Sequence, residues 1–284
     1  MAEHRPELRD LHDPVVVMAF SGWNDAASAA SSCLEHLRDT LGAEQAFAID
    51  GEDFYDFQVN RPTVRRDSPT EAIHSWPETT VSVARVAGGS GETRDLVLVT
   101  GPEPNLRWRG FTRLVMSALR SAQPSVVVML GALLSDCPHT RPVPVSGSTV
   151  HPDLLERHGL DLPDYEGPTG IVGLLSEACS EAGWPTVNLW AAVPHYVAHP
   201  PCPKATLALL SRLEDVIDLP LEVGELPEMA RAWQRGVDEL AAEDGEIAEY
   251  VTQLEESQDA DGLPEASGDA IAAEFQRYLR RRDA

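Results

Sequence analysis

Acidic, basic and guanidinium side chains gather in four short polar segments of this sequence. Asn24 and Asp25 lie in SGWND, and Glu103 and Arg107 in GPEPNLRWR. Asp136, His139 and Arg141 lie in SDCPHTRP, and His195 in HYVAHPP. An acid, a base and two guanidiniums suit an anionic or sugar-like ligand. Arg107 or Arg141 would hold the anion through paired N–H donors, while Asp136, His139 or His195 would move protons. The same residues have a plainer account. Asp25 can cap a helix, and Glu103, Arg107 and Arg141 can form structural ion pairs, which also gather charge. No catalytic residue is assigned.

A fifth segment, YEGPTGIVGLLSEA, places Gly167, Gly170 and Gly173 where a helix begins. No Lys-Ser/Thr pair follows, so it is not a phosphate loop of the Walker type. The spacing is not Gly-x-Gly-x-x-Gly either. With Gly167 as cap and Pro168 at the first helical position, the amides of Thr169, Gly170 and Ile171 are open to an anion. Gly170 and Gly173 would alternatively let a neighbouring element approach closely. Packing is the preferred reading, and it expects Gly173→Ala to lower the melting temperature.

Metal and nucleophile readings are weaker. His195 and His199 share a face only in a helix, and Pro194, Pro200, Pro201 and Pro203 oppose one. Neither a metal nor a cofactor is expected. Cys137 and His139 could be imagined as nucleophile and base, but two residues apart in a proline-flanked loop builds no such pair. No Gly-x-Ser-x-Gly elbow occurs. Cys33, Cys137, Cys179 and Cys202 form no Cys-x-x-Cys. Reduced thiols and a cytoplasmic protein are expected.

Alternating strands and helices must position these segments. DPVVVMAF is a continuous apolar run and reads as a strand buried on both faces. The helix AASAASSCLEHLRDTLG and the strand AEQAFAID follow, a βαβ start that implies a parallel pair. Further strands are expected at TTVSVARVA, TRDLVLVT, SVVVMLGALL and PTVNLWAAVP. Helices are expected at RWRGFTRLVMSALRSAQ, PTGIVGLLSEACSEAG and PKATLALLSRLEDVI. The stretches FYDFQVNRPTVRR and SDCPHTRPVPVSGSTV read as irregular. The pattern is an α/β layer sandwich with a mostly parallel sheet. Ligands of such sheets bind beyond the carboxyl ends of the strands, where four of the polar segments would meet on one rim.

Past residue 220 the pattern changes. Trp233, Val237, Leu240, Ile247, Val251 and Leu254 form a heptad-like face, interrupted at Asp244. After a polar linker, Ile271, Phe275 and Leu279 repeat the spacing. The expected organisation is an α/β domain over 1–220 and a C-terminal helical hairpin over 221–284. The hairpin stripe needs the body or a second subunit to cover it.

The chain has 284 residues, is 43% hydrophobic and carries a formal net charge of −24. Such an acidic chain is repelled by nucleic acid and by anionic membranes, so neither is an expected partner. The N-terminus has no apolar signal-peptide core, and no apolar run is long enough to span a bilayer.

Taken together, GWNDAASAA, EDFYDFQVNRPTVR, GPEPNLRWR, LLSDCPHTRPVPVSG, YEGPTGIVGLL and LWAAVPHYVAHPPCPKATLALLSRLE resemble the proteasome assembly chaperone family, above all its actinobacterial branch. The likeness covers roughly residues 13–220. It implies an α/β fold like that of nucleoside phosphorylases and related hydrolases, a three-layer sandwich, and a homo-oligomer with a trimer preferred. It also implies a non-enzymatic assembly or protein-interaction role, with proteasome subunits as possible partners. The alternative is a small-molecule binder or hydrolase-like enzyme using the rim loops. Some proteasome-binding proteins end in a hydrophobic-Tyr-any tail. This sequence ends YLRRRDA, with Tyr278 away from the end, so docking through such a tail is not expected.

Overall fold

The computed structural model describes residues 8–68, 70–88 and 93–260. The expected helix around Ile271, Phe275 and Leu279 lies outside them. In chain order come β1 (Val15–Ser21), a 3-10 turn (Ala26–Ser28), α1 (Ala29–Thr40), β2 (Glu44–Ile49), β3 (Thr63–Ser68) and β4 (Glu71–Ser75). Then follow β5 (Thr79–Ala87), β6 (Thr93–Pro102), α2 (Trp108–Leu119), β7 (Val126–Ser135), β8 (Val145–Ser148) and α3 (Pro152–His158). The remainder is α4 (Ile171–Glu181), β9 (Thr186–Pro194), a 3-10 turn (His195–Val197), α5 (Pro203–Ile217), α6 (Leu226–Glu243) and α7 (Gly245–Ala260).

Seven strands form one sheet in the order β2-β5-β6-β1-β7-β9-β8. The central four, β6, β1, β7 and β9, are parallel, while β5 and β8 run against their neighbours. The all-apolar run of β1 is buried on both faces because helices cover both sides. Val15, Val17 and Ala19 pack with Cys33, Leu34 and Leu37 of α1 and Leu209, Leu210 and Leu213 of α5. Val16, Met18 and Phe20 point the other way, into Phe111, Val115 and Leu119 of α2 and Ile171 and Leu175 of α4. The result is the expected three-layer α/β sandwich with a mostly parallel sheet. Each buried Leu or Phe contributes on the order of 1.5–3 kcal/mol.

Three local expectations are corrected. The strand after α1 does not pair with β1; β2 sits at the sheet edge, antiparallel to β5. Its outer residues Glu44 and Gln45 are exposed, as suits an edge. The segments read as irregular hold the start of β3, which pairs with β4 in a separate two-stranded sheet, and β8, which pairs with β9. The third correction concerns the glycine segment. Helix α4 starts at Ile171 with Gly170 as its cap, so Gly167 and Pro168 stay outside it.

The heptad-like stripe near the C-terminus breaks into two helices. Asp244 is extended, and its carboxylate accepts the amides of Glu246 at 2.9 Å and Ile247 at 3.4 Å. It caps α7, which is why an acid stands in the apolar stripe. Helix α6 packs on α5, and Trp233 is half-buried against the core of the sandwich. Val237, Val251 and Leu254 are buried, but Leu240 is 48% exposed.

Candidate functional site

Because β1, β6, β7 and β9 are parallel, their carboxyl ends share one edge of the sheet. The segments that leave this edge divide the sequence-predicted residues into separate groups.

The first group joins the ends of β1 and β6 to the start of α4. The Glu103 amide donates to Ser21 O at 2.8 Å, which brings the Glu103 side chain back over β1. Its Oε1 accepts Asn24 Nδ2 at 2.8 Å and the Ile171 amide at 2.9 Å. The helix start therefore does hold an anion, and it is the chain's own carboxylate. A methyl group at Gly170 would lie 2.3 Å from Asn24 Nδ2 and 2.5 Å from its Oδ1. Gly170 thus serves close packing against Asn24. Gly173 does not; an added methyl would meet only the hydroxyl end of Thr169. Thr169 and Gly167 are exposed and take no part in the Glu103 contacts.

Asp25 is buried beside this group. Its Oδ1 accepts the amides of Ala30 at 2.7 Å and Ser31 at 3.2 Å, and its Oδ2 accepts the Ser31 hydroxyl at 2.5 Å. It satisfies the first turn of α1 from across the 3-10 turn. Burial pushes its carboxyl above the ordinary range, against those hydrogen bonds, which pull it down. Arg107 lies apart. It is a left-handed residue at the start of α2, and its guanidinium pairs with Asp53 at 2.5 Å, both side chains mostly exposed.

The second group lies beyond β7 and β9, and the C-terminal helices close over it. The Tyr196 hydroxyl oxygen accepts the His139 amide at 2.8 Å and lies 2.7 Å from His139 Nδ1. His139 Nε2 stands 3.0 Å from Asp238 Oδ1 on α6. A neutral ring satisfies every contact, with the Tyr196 hydroxyl donating to Nδ1 and Nε2–H donating to Asp238. Burial pushes the Tyr196 phenol up to about 12. Arg141 pairs with Asp259 at 2.9 Å and Glu255 at 3.3 Å, and Thr140 donates to Glu255, so the loop is pinned to α7. Asp136 Oδ1 lies 3.1 Å from His195 Nδ1 and accepts the Tyr250 hydroxyl at 3.1 Å. Lys204, the only lysine in the chain, donates to His139 O at 2.5 Å and Gln234 Oε1 at 2.8 Å. Burial lowers its pKa.

Cys137 gives no ready nucleophile. Its thiol is buried, pushed up to about 11 by that burial, and oriented to Ala192 O at 3.8 Å. Among the described residues, no three His, Cys, Asp or Glu side chains converge to hold a metal ion. No helix of the described residues is long and apolar enough to cross a membrane.

Apolar side chains also stand open on this edge. Trp23, next to Asn24, is 90% exposed. The Ala132 amide donates to Asn24 O at 2.9 Å, which brings Trp23 beside the end of β7, where Leu133 and Leu134 are 45% and 51% exposed.

A model of the PAC2 family matches residues 19–241. The chain belongs to the PAC2 family. It is similar in structure to a PAC2 family protein from Streptomyces avermitilis, with 58% identity and a TM-score of 0.78, covering 84% of this chain and 100% of that one. It is also similar to a proteasome-assembly chaperone homologue from Mycobacterium tuberculosis, with 48% identity and a TM-score of 0.75, covering 84% of this chain and 99% of that one. An archaeal proteasome activator from Pyrococcus furiosus shares the fold at 18% identity and a TM-score of 0.64. No curated protein matches the chain.

Within this PAC2 chain, the residues that complete the His139 and Arg141 contacts come from far along the sequence. Tyr196 lies in the HYVAHPP segment beside His195, but Asp238, Glu255 and Asp259 carried no local motif to mark them. The one signal was indirect: Asp238 and Glu255 follow Val237 and Leu254, residues of the apolar stripe that had to be covered.

Proposed function

We propose that this PAC2 chain is a non-enzymatic assembly or protein-interaction factor, acting on proteasome subunits or their assembly intermediates. One observation carries the reading. The polar residues on the carboxyl edge are engaged within the chain: Glu103 on α4, Arg107 with Asp53, Arg141 with Glu255 and Asp259, and His139 with Tyr196 and Asp238. Trp23, Leu133 and Leu134 remain open on the same edge. Large exposed apolar side chains near one edge suit a protein partner, and Trp is a frequent anchor of such interfaces. The similar chain named a proteasome-assembly chaperone homologue supports the choice of partner.

The same reading makes the chain a self-associating one, with a trimer as the preferred form, built on an α/β domain over 1–220 with a C-terminal helical hairpin over 221–284.

Immobilised wild-type chain should retain purified proteasome subunits, and a chain carrying Leu134→Asp should not. Failure to retain them at any salt concentration would overturn the role in proteasome assembly. A thermal shift with nucleosides, phosphate or small carboxylates, abolished by Glu103→Ala or Arg141→Ala, would favour a ligand-binding rim instead.

A further inference from the structure

The β3–β4 hairpin is a two-stranded sheet on its own. Every residue of β4 is exposed, and so is every residue of β3 except Ser68. An isolated pair of strands is marginal in water and gains stability when a further surface covers one face. The cross-strand register says which face is available. Val64 stands opposite His74 and Arg66 opposite Ala72, so these four share one face. Arg65 stands opposite Ile73 on the other.

The two faces differ in charge. Arg65 pairs with Asp67, which neutralises its side of the ribbon. Arg66 has no hydrogen-bond or ion-pair partner among the described residues, and no carboxylate shares its face. Val64, beside it, is 56% exposed. This is an apolar and cationic face on a chain of net charge −24.

The bend between α6 and α7 has the opposite character. Glu239, Glu243, Glu246 and Glu249 are exposed there, with no cationic partner among the described residues. Leu240, among them, is 48% exposed. The surface is apolar and anionic, and its like charges repel one another. No ion pair joins it to the ribbon within one chain.

We infer that the β3–β4 ribbon is an arm that grips the α6–α7 bend of a second copy of this chain. Arg66 and His74 would meet the glutamates, and Val64 would meet Leu240. The two surfaces differ, so the contact is head-to-tail, and a head-to-tail contact closes into a ring when its rotation permits. The inference rests on the reading that the chain self-associates, and it adds which surfaces meet.

Sedimentation velocity at low and high salt tests both levels separately. Four proteins are compared: wild type, Arg66→Glu, Glu243→Arg with Glu246→Arg, and all three changes in one chain. Wild type should be oligomeric, and more weakly so at high salt. The Arg66 change and the paired glutamate changes should each weaken association by about tenfold, because each places like charges in contact. The combined chain should recover most of it. All these positions are exposed, so melting temperatures should match wild type. A monomeric wild type would overturn the self-association reading itself. An oligomeric wild type whose association is unchanged by Arg66→Glu would overturn the arm. Weakening by Arg66→Glu without recovery in the combined chain would overturn the α6–α7 bend as its partner.

Discussion

The Glu103 carboxylate sits on the first amide of α4, 2.9 Å from the nitrogen of Ile171. A residue from the end of one parallel strand thereby caps a helix 68 residues later. Its charge faces the positive end of the helix dipole. Replacing Glu103 with Ala should cost about 1–2 kcal/mol, as the loss of a helix cap does. Sulfate should then recover part of the melting temperature in the variant and have little effect on wild type, where the position is filled. An unchanged melting temperature for Glu103→Ala would show that the contact adds nothing to stability.

The two glycines of this region should respond with opposite signs. Gly170→Ala drives a methyl group into the Asn24 amide and should destabilise by about 1–3 kcal/mol. Gly173→Ala displaces only the exposed Thr169 hydroxyl, which can rotate away. Helix propensity then dominates, and Gly173→Ala should stabilise by up to about 1 kcal/mol. This reverses the expectation drawn from the spacing alone. Thermal melts of the two variants check both signs.

Two buried carboxylates should tilt the pH dependence of stability in opposite directions. Asp95 accepts Arg85 Nε at 2.8 Å, Arg85 Nη2 at 2.9 Å and the His12 amide at 2.7 Å, and the Arg85 hydrogen bonds hold its pKa below the usual range. The unfolded chain protonates Asp95 first as pH falls. Its contribution is therefore present above the ordinary carboxylate range and is lost as pH drops through the lowered folded value. Asp25 is raised by burial, so the unfolded chain ionises first as pH rises. Its contribution is full in acid and is lost as pH climbs through the raised folded value. Urea titrations against pH should show Asp95→Asn losing most stability near neutrality and little in acid. Asp25→Asn should instead compare best with wild type near neutrality.

The Tyr196 hydroxyl serves both the amide and the ring of His139 beneath α6. Removing it in Tyr196→Phe leaves a buried amide without its acceptor and should cost about 1–3 kcal/mol by urea denaturation. Hydrogen exchange should quicken at the amides of the 136–141 loop. No change in either measurement would mean that another group replaces the hydroxyl.

Trp23 is 90% exposed and should contribute almost nothing to the fold. Trp23→Ala should leave stability within about 0.5 kcal/mol of wild type, as surface changes usually do. Its expected effect is on partner capture, weakened by about tenfold or more if Trp23 anchors the patch. Retention equal to wild type would remove Trp23 from the interface.

The sequence by itself determined the layer architecture. Val15–Phe20 is apolar at every position, which only a strand covered on both faces tolerates, and helices with one apolar stripe supply that cover. It also marked Asp244 as an interruption of the C-terminal apolar face; that the chain bends there, with the acid capping α7, came from the structure. Pairing was decided in three dimensions. Nothing local in Glu44–Ile49 distinguishes a neighbour of β1 from an edge strand against β5, since both need the same alternating backbone. The candidate edge was legible as four polar segments, but not their partners. Asp25 reads as a cap in sequence and is one, because the amides that donate to it lie five and six residues away. Glu103 needed Ile171, and His139 needed Asp238 99 residues on. Contacts at such separations follow from how whole elements pack, and no spacing rule encodes them.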